Sequence, residues 1–290
     1  MKVLVTGGGA FIARHAAEQL TDVCDLVAPN RNDLDLLDAE RVQDRLESGK
    51  FDVVVHAANY DAAPRNSTKD PAKVLENNLK MFFHLVRCKD HFGKMLYFGS
   101  GAEYDRDHWV PRMKEDQFGR HVPADPYGLS KYVMNQVARS SDTIYNLRLF
   151  GVFGPHDDWR TRFIPNACGH AVLGLPIRID QDRRLDFIHI DDLIRILRWF
   201  IHHRPRRHDY NVCSGTAMDF RRIADLLTGL SGKSPGVEII RPGSGREYSG
   251  DNTLLMDEMG GFVFRPFEPS LNDLYAWYEA HKSILRKEDL

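Results

Sequence analysis

The sequence predicts an α/β fold, a doubly wound parallel sheet with a smaller, discontinuous lobe. Three observations carry this. Runs such as "KVLVT" at 2–6 and "FDVVVHAAN" at 51–59 are apolar without alternation, as strands covered on both faces are. Segments of helical spacing separate these runs, so strand and helix alternate along the first half. A glycine-rich turn, Gly7 to Ala10, joins the first strand to the first helix at the carboxyl edge, where such sheets take their ligands.

In chain order, "KVLVT" is the first strand and Phe11–Leu20 the first helix. "CDLVAP" is the second strand, Ala39–Ser48 a helix and "FDVVVHAAN" the third strand. A helix is expected over Pro71–Phe92, then a strand at "KMLYFGS". Ser130–Arg139 continues a helix that starts near Pro126, because proline suits the first helical turn. "TIYNLRLFG" is the next strand. After Gly154 the order loosens into a loop-rich stretch, Pro155–Ile188. The helix Asp191–His202 follows, and "HDYNVCSG" is a late strand returning to the main sheet. The remainder is mixed and closes on an amphipathic helix, Ser270–His281. The expected partition is a dinucleotide-binding domain over 1–154 and 186–214, and a substrate lobe over 155–185 and 215–290.

At 290 residues, 42% hydrophobic and 28% charged, the chain has the make-up of an ordinary globular protein. A net charge of −2, with both signs dispersed, leaves no electrostatic footprint for nucleic acid or membrane. No basic leader precedes the first strand, and no apolar run approaches the ~18 residues of a membrane span, so a cytoplasmic location is expected. Cys24, Cys88, Cys168 and Cys213 form no C-x-x-C pair and read as small hydrophobes in a reducing compartment.

The turn departs from the usual G-x-x-G-x-x-G spacing. Gly7 fits, but the next two slots hold Ala10 and Ala13. A methyl at 13 is mild, since that slot sets helix–sheet packing, whereas one at 10 stands where a pyrophosphate approaches; Gly8 and Gly9 offer compensation. The bland alternative is a tight strand–helix connection. At the end of the second strand, where an acid would hold the ribose hydroxyls of NAD, stand Pro29, Asn30 and Arg31. Arg31 is either a solvated loop residue or a partner for a 2′-phosphate, which favours NADP(H) over NAD(H).

"DPYGLSK" sets Tyr127 and Lys131 on one helix face. An ammonium beside a phenol favours the phenolate, so Tyr127 is a candidate proton donor to a carbonyl, with Lys131 tuning it. Y-x-x-x-K alone is common by chance. Ser100, at the carboxyl end of "KMLYFGS", supplies a hydroxyl at the ligand edge of the sheet and completes a candidate set.

Glycine-rich turn, strand-end serine and Y-x-x-x-K in this order resemble the extended short-chain dehydrogenase/reductases of the NAD-dependent epimerase/dehydratase type. "FGPHDDW", "DFIHIDDL" and "YNVCSG" extend the likeness, toward GDP-L-fucose synthase and related nucleotide-sugar reductases. The resemblance implies a Rossmann domain, a lobe for a nucleoside-diphosphate sugar and a homodimer. It places Ser100, Tyr127 and Lys131 on the catalytic triad, with Lys131 also on the nicotinamide ribose. Cofactor positions are then Gly7, Gly9, Ala10, Phe11, Ile12, Asn30, Arg31, Ala57, Ala58 and Asn77, the last matching a structural asparagine.

The departures narrow the chemistry. The epimerising cysteine and histidine of fucose synthases correspond to Ala102 and Arg162, and neither moves a proton at neutral pH. Gly101 and Ala102 replace the acidic pair of the dehydratases. The family's arginine before "D/E-F-x-H" corresponds to Leu185, leaving Arg183 or Arg184 just before it, and Arg246 elsewhere, for the sugar diphosphate; each is otherwise a solvated surface arginine. Ala102, Arg162, Arg184 and Arg246 are the substrate-side candidates. No metal site is expected: His189 and Asp192 lack a third ligand, and "HHRPRRHDY" reads as a solvated helix end. His56 reads as a satisfied structural histidine. The expectation is NADPH-dependent reduction of the 4-keto group of a nucleoside-diphosphate keto-sugar without epimerisation. The alternatives are an NAD-dependent 4-epimerase and a non-catalytic NAD(P)-binding sensor.

Overall fold

A computed structural model describes residues 1–61, 69–233 and 236–290. In chain order the elements are β1 (Lys2–Val5), α1 (Phe11–Gln19), β2 (Asp25–Val27), α2 (Ala39–Gly49), β3 (Phe51–His56), α3 (Val74–Arg87), β4 (Phe92–Ser100), α4 (Pro126–Arg139), β5 (Ile144–Leu149) and β6 (Gly151–Phe153). Then come α5 (Phe163–Leu173), β7 (Ile177–Asp182), β8 (Arg184–His189), α6 (Ile190–His202), β9 (Asp209–Val212), β10 (Ala217–Asp219), α7 (Phe220–Ser231), β11 (Val237–Ser244), α8 (Thr253–Met259) and α9 (Phe267–Ala280).

The main sheet has the order β2-β1-β3-β4-β5-β9, and every pairing is parallel. Both faces are covered, which is why its strands read as continuous apolar runs. Val3, Val5, Val53 and Val55 point into one core with α1 and α6; Leu4, Val54, Met95 and Tyr97 point into the opposite core with α2 and α3. Each fully buried aliphatic side chain there is worth roughly 1.5–3 kcal/mol of transfer free energy. "HDYNVCSG" does return to this sheet, as β9 beside β5.

Helix starts follow local chemistry. Asp38 accepts from the amides of Glu40 and Arg41 to open α2, and Asp125 accepts from Gly128 N, with Pro126 in the first turn, to open α4. The expected helix Pro71–Phe92 is shorter. Turns of 3₁₀ helix at Pro71–Lys73 and Lys89–His91 flank α3, and Phe92 already lies in β4, in register with Phe51.

The expected loop over 155–188 is largely ordered. It contains α5, β7 and most of β8. Helix α5 is buried on nearly every side, so its sequence shows no amphipathic period. Strand β7 pairs with β11, some sixty residues on, a partnership no local pattern reveals. A three-stranded sheet, β10-β8-β6, and a further core around Phe153, Ile164, Leu227, Leu271 and Tyr278 complete the smaller part. The C-terminal stretch divides: Leu255 and Phe262 pack in the α1/α6 core, although the sequence reading put 215–290 wholly in the substrate lobe. No helix among the described residues is long and apolar enough to cross a membrane.

Candidate active site

The strand order reverses between β1 and β3, and the glycine turn sits at that reversal, the usual ligand crevice of a doubly wound sheet. Gly7 has φ +75°, and a Cβ on it would stand 3.0 Å from the Cα of Ala58. A Cβ on Gly8 would lie 2.0 Å from the Ala28 carbonyl oxygen, and its amide donates to Pro29 O at 2.9 Å. These two glycines are therefore required by the crossing of the chain itself. Gly9 faces open space.

Ala10 is exposed, caps α1 with ordinary extended backbone (φ −93°) and strains nothing. No side chain caps α1 and its first turn carries no acid, so its amides at Phe11 and Ile12 are left for an anion. Ala13 is fully buried against the sheet. Thr6 Oγ1 accepts from the amides of Ala57 and Ala58 and lies 3.1 Å from His56 Nδ1, tying the ends of β1 and β3 together. His56 is a partnered core histidine, and burial, then the Lys131 charge, push it down to about 3, so it stays neutral.

Beyond β2, Arg31 is exposed and, among the described residues, pairs only with Asp35 at 3.4 Å. Asp33, the nearest acid, is exposed and accepts from the Asn30 amide at 3.2 Å through Oδ2, while the Asn30 side chain accepts from the amides of Asn32 and Asp33. The structural asparagine is Asn78 rather than Asn77. Asn78 is buried and bonds both the amide and the carbonyl of Tyr60, whereas Asn77, a residue earlier on α3, is half-buried.

Ser100, Tyr127 and Lys131 come together at the carboxyl end of β4. Ser100 is buried, its Oγ accepting from Ala102 N at 3.2 Å. Tyr127 is half-buried and faces Ser100. Lys131 is buried, donates to Phe98 O at 2.9 Å and lies 5.8 Å from the centre of the Tyr127 ring. The expected lowering of the phenol by Lys131 is not what this site shows. Burial pushes Tyr127 up and Asp61 adds to it, against Arg162, the Ser100 hydrogen bond and Arg106. Lys131 is itself lowered to about 8 by burial, with Glu103 and Asp61 opposing. The phenol is thus kept protonated, as a donor requires, and the lysine is the group that titrates near neutrality. Turnover at this site is expected to fall as pH rises through about 8, where the Lys131 ammonium loses its proton. Asp61→Asn, removing one of the charges that support that ammonium, should move this limb to lower pH in a kcat/KM profile.

Around this trio the sequence candidates part company. Ala102 is buried in the turn after Ser100. Arg162, just before α5, pairs with Asp61 at 3.2 Å, so residues from the two sides of the site meet beside Tyr127. Arg184 already has its counter-charge in Glu247 at 3.0 Å and donates to Ala217 O. Arg183 forms no ion pair among the described residues; it lies over the Phe220 ring at 5.3 Å, with Arg106, Asp180 and Arg241 as charged neighbours. Arg246 donates to Arg106 O at 3.3 Å. His189 caps α6, and Asp192 holds Arg195 and the amide of Arg265. Among the described residues no group of three or more His, Cys, Asp or Glu is arranged to hold a metal.

Three residues were missed. Asp61 follows β3, with no motif around it. Asp157 is buried near Arg162, with Oδ2 unpartnered, and burial pushes it up to about 7. Tyr248 reaches the Ser100 hydroxyl from 148 positions away.

The model of the NAD dependent epimerase/dehydratase family matches residues 3–213. A dTDP-4-dehydro-6-deoxy-D-allose reductase from a Streptomyces species is 26% identical across 97% of both chains. Among solved structures, a GDP-L-fucose synthetase from Naegleria fowleri bound to NADP superposes with a TM-score of 0.86 at 15% identity, over 99% of this chain and 95% of that one. The UDP-glucose 4-epimerase of Thermotoga maritima with UDP-glucose gives 0.83 at 21% identity, over 98% of this chain and 100% of the other. At these identities the two structures speak for the fold alone.

Proposed function

The chain belongs to the NAD-dependent epimerase/dehydratase family, an NAD(P)-dependent oxidoreductase of the extended short-chain type, and on that premise we propose that it uses NADPH to reduce the 4-keto group of a nucleoside-diphosphate keto-sugar without epimerising the carbon beside it. The observation that carries this reading is the state of the trio: Tyr127 is biased toward its protonated form, while Ser100 stands ready to bond the same oxygen. The two positions that would move a carbon-bound proton hold a buried methyl, Ala102, and a charged guanidinium already paired, Arg162.

The residues fit a dinucleotide: two glycines the crossing demands, an uncapped helix start and, after the second strand, no acid before Asp33, which accepts from the Asn30 amide. Gly9, Ala10, Phe11 and Ile12 would face the pyrophosphate, Ala57 and Ala58 would line the crevice, and Asn30 and Arg31 would meet the 2′-phosphate. Asn77, on α3, stays a candidate contact. NADPH supplies the hydride. Ser100 holds the carbonyl oxygen and Tyr127 gives it a proton; Lys131 holds the ribose and a positive charge beneath the phenol. On the substrate side Arg183 is preferred to Arg184 for the diphosphate, because among the described residues it forms no ion pair, with Asp180 only a charged neighbour, whereas Arg184 is paired with Glu247. Arg246, beside Arg106, and Arg162, paired with Asp61, stay substrate-side candidates. A homodimer in the cytoplasm remains part of the proposal.

Fluorescence titration is expected to show NADPH bound at least tenfold more tightly than NADH, and Arg31→Ala to erase most of that preference; a factor of ten corresponds to about 1.4 kcal/mol, within reach of one charge-assisted contact. Turnover is then read on a panel of dTDP-, GDP- and UDP-linked 4-dehydro sugars. Preference for NADH, or NAD⁺ retained through purification, supports the 4-epimerase instead. Binding without turnover on any of the panel supports the sensor.

A further inference from the structure

Tyr248 lies beyond β11 on a segment that runs beside β8. Its amide donates to Arg184 O at 2.9 Å, and its carbonyl accepts from Asp186 N at 3.0 Å, so the backbone is held on both sides. The ring is clamped between Trp109, with centroids 4.1 Å apart, and Phe150 at 4.9 Å. It rests on Gly101, where a Cβ would come within 2.6 Å of the ring; Trp109 is anchored in turn by Nε1 donating to Gly101 O at 3.0 Å. A ring fixed in this way aims its hydroxyl. The Tyr248 and Ser100 hydroxyls are 3.3 Å apart and buried, and the other acceptor in reach of the phenol is Leu149 O at 3.4 Å. Burial pushes the phenol up, so it keeps its proton as a donor.

Ser100 has one proton to give, and its Oγ already accepts from Ala102 N. Where the serine proton goes to the Tyr248 oxygen, Tyr248 donates to Leu149 O and the serine has no proton left for a substrate carbonyl, which only accepts. Where Tyr248 donates to Ser100, that orientation is closed and the serine proton is left for the carbonyl or for Tyr127. We propose that Tyr248 is a positioning residue for Ser100, its hydroxyl donating to Ser100 Oγ so that the serine proton points at the substrate carbonyl. This rests on the reading of Ser100 given under the proposed function. No covalent bond changes in this arrangement; each hydroxyl keeps its hydrogen and only its direction is set. The chain Tyr248 O–H to Ser100 O–H to carbonyl polarises along its length, and the gain grows as negative charge develops on the carbonyl oxygen. The effect therefore falls on kcat more than on KM.

The experiment is a double-mutant cycle of Tyr248→Phe and Ser100→Ala, with NADPH and the panel sugar that the unaltered enzyme reduces best. Phenylalanine keeps the ring between Trp109 and Phe150, and an unchanged melting temperature and NADPH affinity verify that. Tyr248→Phe is expected to lower kcat about tenfold with KM within about twofold, and to cost nothing further once Ser100 is alanine. An unchanged kcat would overturn the inference. So would a raised KM at constant kcat, or the full tenfold loss persisting in the Ser100→Ala background, since either means that Tyr248 meets the sugar directly. Failure of the proposed function itself is separate: the unaltered enzyme would then reduce no member of the panel.

Discussion

Tyr127→Phe is expected to cut turnover by roughly 10²–10⁴-fold while NADPH binding stays within about twofold, the loss of a positioned proton donor. The Tyr127 phenol is kept in donor form by burial and by the Asp61 carboxylate. Phenylalanine retains the ring beneath which Lys131 lies at 5.8 Å, and leaves untouched the glycine turn and the uncapped start of α1. Steady-state kinetics and a cofactor titration on the same preparation check both halves. A variant that still turns over at near the original rate would remove Tyr127 from the mechanism. One that loses the cofactor as well would mean that the hydroxyl also serves cofactor binding, since the ring is retained.

Arg148→Met should cost roughly 3–5 kcal/mol of stability, because it breaks a buried ion network from one side only. Arg148, on β5, is fully buried. Its Nε donates to Glu103 at 2.9 Å, Nη2 to Asp209 at 2.7 Å, and Nη1 to the Tyr104 hydroxyl at 2.8 Å and to Asn211 at 3.1 Å. Asp209 keeps Arg139 at 3.2 Å. Glu103 is left with Asn146 and the Ser100 amide, and burial, already pushing it up, then goes unopposed by any guanidinium. Thermal denaturation checks the stability. Activity carries the second signal: Glu103 accepts from Ser100 N at 3.0 Å, so a loosened Glu103 loosens the serine. Pairing the change with Glu103→Gln should recover part of the stability, since the uncompensated charge is then gone.

How legible this site was depends on how each residue finds its partner. Tyr127 and Lys131 share a helix face, so their meeting is a matter of spacing. Ser100 ends a strand whose place in a parallel sheet is set by its own apolar run. The glycine turn was legible as a turn, but the reason for Gly8, the carbonyl of Ala28 only 2.0 Å from where its Cβ would stand, comes from a strand two elements on. Asn77 was taken for its neighbour because both lie in "LENNL", and only burial against Tyr60 singles out Asn78. Helix α5 was read as loop because an element buried all round has no polar face to set a period.

By itself the sequence determined the doubly wound parallel sheet and the glycine turn at its carboxyl edge, and it offered Ser100, Tyr127 and Lys131 as one candidate set, which the fold brings together. Each of these follows from period, turn chemistry or spacing within one or two elements. Only the tertiary structure decided which arginine forms no ion pair among the described residues, Arg183 rather than Arg184, and that Asp61 reaches Arg162 across 101 positions. It alone set Tyr248 against Ser100 and buried Arg148 between Glu103 and Asp209. The reason is physical. Periodicity records whether a side chain faces protein or water, but the charge and hydrogen-bond partner it meets there depend on how distant segments close together.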